Sequence, residues 1–191
     1  MSLSPPAPRR HMHTRVVHCE GFLREDGLWD IEASIVDSKP FPYTEPVRGL
    51  REPGSEVHHM AIRVTVGTDL MVHAVELAMP ATPYPVCAEA IPSFQGLVGQ
   101  RIDGGWRATV RDAVGAERGC THARELLFPL ATVAFQTIHG WREDDDCERP
   151  EHAKKQDSKP YFIGGCRAWA ADGPLVAKLY PAFASPRRTE P

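Results

Sequence analysis

The stretch GCTHARELLFPLATVAFQTI, residues 119–138, decides the fold, because it joins a cysteine and a histidine to the longest apolar run of the chain. Its apolar residues recur at the spacing of a helix face in two neighbouring stripes: Leu127, Leu130, Ala131, Ala134 and Ile138, and beside them Phe128, Ala131 and Phe135. This pattern predicts a core helix that begins near Cys120, is covered on most sides and bends at Pro129.

Alternating apolar and polar residues upstream of this helix predict two antiparallel hairpins. The first joins strands at residues 15–23 and 28–37 through the Asp26-Gly27 turn, and the second joins strands at 57–66 and 70–79. Between them, the proline-rich residues 38–55 predict a long surface loop. After the second hairpin, the pattern indicates two short amphipathic helices that end at Gly99 and Gly115.

The predicted fold is therefore α+β, with an antiparallel sheet of four or more strands packed on one face by about three helices. A single domain is expected over residues 15–184, with the sheet at 15–79, a helical part at 86–140, a charged loop at 143–159 and a C-terminal hairpin at 160–184. Residues 1–14 are expected to form a flexible arm, and residues 185–191 a loose tail.

Composition narrows the class of protein. A formal net charge of −3 gives no reason to expect nucleic acid as a partner, and the chain has no apolar segment long enough to span a membrane. The amino-terminal residues also lack the apolar core of a signal peptide, so a cytoplasmic protein is expected. The five cysteines are widely spread and form no C-x-x-C pair, which favours reduced thiols over a disulfide framework.

Histidines and cysteines at three distant places predict a metal site. The start of the third strand, the exit from the fourth strand and the start of the core helix are expected to meet at one end of the sheet. They bring His58 or His59, Cys87 and Cys120, with His122, Glu89 or a water as a fourth ligand. Nitrogen and sulfur donors suit zinc or iron, so the leading hypothesis is a metal-binding protein with the ligands His58, Cys87, Cys120 and His122.

Two other classes of function remain open. Cys120 stands at a helix start, where the helix dipole favours a thiolate, so a thiol enzyme or sulfur acceptor is the second hypothesis, with His122 as the proton carrier. Residues two apart on a regular helix do not face each other, which weakens a direct Cys120–His122 pair. The third hypothesis is a non-catalytic module whose partner is a small molecule or a protein that the sequence does not identify.

Several segments together resemble a bacterial family that is classed as a domain of unknown function, DUF2889. They are, in chain order, SPPAP with His13-Thr14-Arg15, DGLWDIE at 26–32, residues 57–60, GCTH at 119–122, ELL at 125–127, PLAT at 129–132, AFQT at 134–137, DGP at 172–174 and Tyr180-Pro181. The resemblance implies no activity. It implies that His58 is a better ligand candidate than His59, because members of the family often carry aspartate where His59 stands.

The order of elements is also similar to the iron–sulfur scaffold and sulfur-acceptor fold of the IscU and SufE type. In that scaffold, three cysteines and an aspartate meet at one end of the sheet. The likeness covers residues 57–138 and places Cys87 and Cys120 near two of the cysteine positions, and His58 near the first. The Cys-Gly-Asp that precedes the strand in the scaffold is absent here, so the likeness implies a single metal ion rather than a cluster.

Overall fold

The structure is a computed structural model that describes residues 3–139, 159–160 and 162–186. The elements of its first part are β1 (Thr14–Leu23), β2 (Trp29–Ser38), β3 (Tyr43–Glu45), β4 (Gly49–Arg51), β5 (Glu56–Val66), β6 (Val72–Ala81), a 3₁₀ segment (Pro85–Leu97), α1 (Trp106–Val114), a 3₁₀ turn (Ala116–Arg118) and α2 (Thr121–Ile138). A four-stranded antiparallel sheet has the order β1-β2-β5-β6, and β3 pairs with β4 in a small separate hairpin. The predicted α+β class is confirmed.

The core lies between one face of the large sheet and the helices. Apolar residues at alternate positions of the two central strands point into it: Trp29, Ile31, Ala33 and Ile35 from β2, and Met60, Ile62, Val64 and Val66 from β5. Ala123, Leu126, Leu127, Leu130, Ala131 and Ala134 of α2 are buried in the same core. The period of two along the strands and the helical spacing along α2 thus produce matching apolar surfaces.

The axis of α2 runs in the same direction as β1. Its N-cap residue, Cys120, contacts Met60 of β5, with 3.9 Å between the two sulfur atoms. Near its other end, Thr137 fills the space beside Gly21, where a β-carbon would lie 2.1 Å from the Thr137 hydroxyl oxygen. The helix can pack closely here because Gly21 has no side chain.

Three local expectations differ from the structure. Residues 85–97 form a 3₁₀ segment, with Pro92 inside it, rather than an α-helix. The predicted loop at 38–55 contains β3 and β4. The predicted C-terminal hairpin at 160–184 is wrong: residues 163–169 form turns and bends, and Pro174–Leu179 forms α3, followed by a 3₁₀ turn at Pro181–Phe183.

The chain divides into two compact units, Met1–His139 and Gly140–Pro191, where a single domain over 15–184 was expected. The second unit has its own apolar cluster, in which Ile163, Val176 and Tyr180 are buried. Most of the charged loop at 143–159 and of the tail at 185–191 lies outside the described residues. Within the described part of the chain, no helix is both long enough and apolar enough to cross a membrane.

Candidate metal centre

A row of polar side chains crosses three strands at one end of the sheet. Arg15 of β1 is the cross-strand neighbour of Asp37 in β2, and Asp37 is the neighbour of His58 in β5. All three residues are in phase with the core-facing positions of their strands, so their side chains lie on the α2 side of the sheet. The register of the sheet therefore brings together residues that are 21 or more positions apart in the sequence.

Asp37 is the centre of this row and is only 1% exposed. The guanidinium of Arg15 donates two hydrogen bonds of 2.7 Å, one to each carboxylate oxygen. Nδ1 of His58 lies 3.0 Å from Oδ2, and Nε2 of His13 lies 3.3 Å from Oδ1. These contacts use the hydrogen-bonding capacity of the carboxylate well, as a buried charge requires.

His122 completes the group from the helix. It lies in the first turn of α2, and its ring stacks on that of His58 with 3.7 Å between the centroids and 27° between the planes. One ligand atom from each of Asp37, His58 and His122 can be chosen so that the atoms all lie within 4.8 Å of one another. One carboxylate and two imidazoles are a donor set that suits zinc or iron(II).

Burial and neighbouring charges set the protonation states of these groups. Burial lowers the pKa of His58, although the Asp37 carboxylate opposes this effect. Burial and the nearby His58 also lower the pKa of His122. Burial alone would raise the pKa of Asp37, but hydrogen bonds and charge from Arg15 and His58 outweigh it, and the pKa is lowered. At neutral pH the site therefore holds one carboxylate and two neutral imidazoles.

The structure places the predicted ligands in different surroundings. His58 and His122 lie in the group, and Cys120 lies near it at the N-cap of α2, with its sulfur against the Met60 sulfur. Neither the Cys120 nor the Cys87 sulfur belongs to the group, and Cys87 is half-buried on the 3₁₀ segment. His59 points to the other face of the sheet, where its Nδ1 lies 3.1 Å from the Glu56 carboxylate. Glu89 is outside the group as well.

Asp37 is the site residue that the sequence analysis missed, although the sequence contains a signal for it. The buried positions of β2 are 29, 31, 33, 35 and 37, so Asp37 continues the apolar stripe of Trp29 to Ile35 with a charged residue. A carboxylate in phase with a core stripe is rarely buried without a partner. Arg15 holds the facing position on β1, and a search for its partner would have led to Asp37.

A cavity of about 560 Å³ lies on the opposite face of the sheet. Its polar lining includes His18, Glu20, Glu32, Ser34, Arg63, Glu76 and Gln95. Asp37, His58 and His122 do not line it, since they project from the other face. The charged side chains of this open face pair with one another, as Arg63 does with Glu32 and Glu76 at 2.7 and 2.8 Å. The cavity and the carboxylate–histidine group are therefore separate features.

The fold and the site define an α+β protein with a buried carboxylate–histidine group at one end of an antiparallel sheet. The sequence profile of the family described as "Protein of unknown function (DUF2889)" matches residues 13–136. The match spans more than half of the chain and includes Arg15, Asp37, His58 and His122, so the chain belongs to this family. No curated protein and no solved structure matches the chain, so the likeness to the IscU and SufE scaffold has no support from these comparisons.

Proposed function

We propose that this protein binds one zinc or iron(II) ion through Asp37, His58 and His122. The observation that carries the proposal is the proximity of the three donor atoms, which lie within 4.8 Å of one another although they come from β2, β5 and α2. Three protein ligands leave at least one coordination position for water or for another molecule. The proposed function is thus metal binding, with a coordination position that the protein ligands leave open.

The charge state of the group supports this proposal. A metal ion binds neutral imidazole and ionised carboxylate, and protons compete with it for both. The lowered pKa values of His58, His122 and Asp37 mean that these groups are already deprotonated at neutral pH. Binding therefore does not require the loss of a proton from a charged ligand.

Metal binding requires a local rearrangement of the two rings. Ligands bound to one ion at about 2.0–2.2 Å lie roughly 3–3.6 Å apart, which is closer than the present limit of 4.8 Å. A metal ion lies in the plane of an imidazole, so the stacked rings of His58 and His122 must rotate relative to each other. Asp37, His58 and His122 would together hold the ion once the two rings had rotated.

Calorimetric titration of the purified protein, treated with EDTA and then dialysed, tests the proposal. We expect one Zn²⁺ or, under anaerobic conditions, one Fe²⁺ per chain. His122→Gln and Asp37→Asn should each weaken binding by more than about 100-fold, because loss of an outer hydrogen-bonding partner alone costs about 10- to 100-fold. His73→Gln, which changes an exposed histidine of β6, is the matched control and should bind as the unmodified protein does.

Two results would reject the metal site. One is the absence of binding by either ion at micromolar protein. The other is binding that His58→Gln and His122→Gln leave unchanged, which would assign the ion to different residues. In both cases, the Arg15–Asp37–His58 row would be a structural ion-pair network only.

The thiol hypothesis for Cys120 stays a prediction and ranks second. The residue stands at the N-cap of α2 and two positions before His122, which favours it. Its sulfur packs against the Met60 thioether, however, and such apolar contact is typical of an inert thiol. The rate of alkylation at neutral pH distinguishes a nucleophilic Cys120 from an inert one. If Cys120 reacts far faster than the exposed Cys166, a nucleophile is favoured, whereas slower reaction argues against one.

A further inference from the structure

The two edge strands of the large sheet differ in how their outer edges are covered. Residues of the following segment bond to β6: Val72 N–H donates to the Gln100 carbonyl, and Gly99 N–H and the Gln95 side chain donate to the carbonyls of Val72 and Val75, each at 2.8 Å. Pro80 also removes a donor from this strand. By contrast, β1 bonds only to β2 among the described residues, so its other edge offers a row of free N–H and C=O groups.

Strand β1 lacks several of the features that usually prevent pairing at a free edge, although it carries the charged residues Arg15 and Glu20. It is ten residues long, regular in its register with β2, and contains neither proline nor lysine. Several of its large apolar side chains are exposed, among them Val16 at 54% and Phe22 at 45%. Long, regular and apolar edges of this kind favour the addition of another strand.

The sequence of β1 is self-complementary in one antiparallel register. When Cys19 faces Cys19 of a second copy, His18 faces Glu20, and Val16 faces Phe22 on the same open face of the sheet. The first pair has opposite charge when the imidazole is protonated, and the second is an aromatic residue opposite a β-branched one, a stabilising cross-strand combination.

We propose that β1 is a homodimer interface, in which two copies pair antiparallel about a two-fold axis at Cys19 and form a continuous eight-stranded sheet. This arrangement is isologous, since each copy uses the same surface, and it closes without further growth. The free N–H and C=O groups on the β1 edge of each copy then bond to those of the other copy. His18 and Glu20 already lie 3.1 Å apart within one chain, and both are exposed, so exchanging this contact for the one with the second copy costs little.

Sedimentation equilibrium across micromolar concentrations measures the oligomeric state. The pairing of one strand buries a modest area, so we expect a dimer with a dissociation constant in the micromolar range. Val16→Glu and Phe22→Lys should each weaken it at least tenfold, because a charge then faces an apolar side chain of the other copy. Leu50→Glu, at an exposed apolar residue of β4, is the matched control and should leave the dimer unchanged.

The double variant Val16→Glu/Phe22→Lys tests the register. Within one chain these positions are six residues apart on an extended strand and cannot touch. Across the proposed interface they face each other, so the new charges pair and the dimer should recover relative to either single variant. A double variant that is weaker than both single variants would overturn the register.

Cross-linking of the native thiol provides a second measurement. In the proposed register the Cys19 α-carbons of the two copies lie about 4.5–5.5 Å apart, which is within the range that a disulfide spans. Copper-catalysed air oxidation of the dimer should yield a Cys19–Cys19 peptide in mass spectrometry, and Cys19→Ser should abolish it. A Cys19–Cys19 peptide would support the register. A monomer at all concentrations, or a dimer that the β1 variants do not affect, would reject the proposal.

Discussion

Asp37 shows how one charged side chain can be buried at the end of an apolar stripe. Its carboxylate is retained in the core because Arg15 and His58 satisfy it from the two neighbouring strands. The free-energy cost of burying the charge is thus offset locally, and removal of either partner leaves that cost uncompensated.

The variant Asp37→Asn tests this balance. The amide keeps the shape of the side chain but removes its charge, which leaves the Arg15 guanidinium without a carboxylate. We expect a loss of about 1–3 kcal/mol in the free energy of unfolding, less than for a fully buried pair because Arg15 is 39% exposed. Urea denaturation measures it.

The matched control for Asp37→Asn is Asp26→Asn. Asp26 pairs with Arg24 at the same N–O distance of 2.7 Å, but both side chains are exposed to water. Its replacement should hardly move the urea midpoint. Equal effects of the two substitutions would show that burial of the Asp37 pair has no energetic consequence.

The two stacked histidines predict a dependence of stability on pH. Burial lowers the pKa of His58 and His122 in the folded protein, whereas in the unfolded chain each titrates near about 6.5. Below that value the unfolded chain binds more protons than the folded protein. The contribution of the two neutral rings to the free energy of unfolding is therefore fully present above about pH 6.5 and is lost as the pH falls through the folded pKa.

Urea midpoints at about pH 7.5 and about pH 5.5, both with EDTA present, measure this effect. The double variant His58→Gln/His122→Gln should lose less stability between the two pH values than the unmodified protein, because it lacks both titrating rings. An equal loss in both proteins would contradict the assignment to this histidine pair.

At the scale of elements, the contact of α2 with β1 depends on a glycine. A β-carbon at Gly21 would lie 2.1, 2.6 and 2.8 Å from side-chain atoms of Thr137. Gly21→Ala should therefore destabilise the fold by about 1–3 kcal/mol through overpacking, as measured by thermal or urea unfolding. Gly104→Ala is the control, since nothing lies within 4 Å of its added carbon.

A second substitution shows whether the clash itself is responsible. Thr137→Ala removes the two closest atoms, the hydroxyl oxygen and the methyl carbon, and leaves the contact at 2.8 Å. Gly21→Ala/Thr137→Ala should thus recover part of the lost stability. No recovery would indicate that the backbone conformation at residue 21, rather than the packing against α2, sets the cost.

The elements that the sequence predicted well are those with long, regular periodicity. The alternation in β2 and β5 and the helical stripes of α2 predict the element types that the structure has, because each element buries one face in the core. Residues 175–179 are too short a run for periodicity to decide between strand and helix. The decisive signal was Pro174 after Gly173, because proline favours the first position of a helix.

The site could be predicted only in part, because local sequence pattern does not determine how distant segments meet. His58 and His122 were identifiable by residue type near element boundaries, but their distance from Cys87 depends on the path of residues 82–97, which local pattern does not determine. Residues 85–97 of that path form a 3₁₀ segment, and Cys87 lies on it outside the group. Asp37 required a register between strands, which follows from tertiary packing.

At the scale of the whole molecule, the family match and the first compact unit coincide. Residues 13–136 match the family, and the unit Met1–His139 contains all of them together with the core and the carboxylate–histidine group. We therefore expect a chain that ends at His139 to unfold cooperatively in urea and to bind Zn²⁺ with the affinity of the full chain. A shortened chain that is unfolded by circular dichroism would contradict this expectation.

The row of Arg15, Asp37 and His58 also has a consequence for assembly of the sheet. It depends on two strand pairings at once, β1 with β2 and β2 with β5. A slip of β2 by a single residue would turn Asp37 toward water, bring Val36 or Ser38 inward and separate all three side chains. Misaligned chains would thus lack the carboxylate–histidine group. An ion that binds to this group would therefore stabilise only the molecules whose strands have paired in the native alignment.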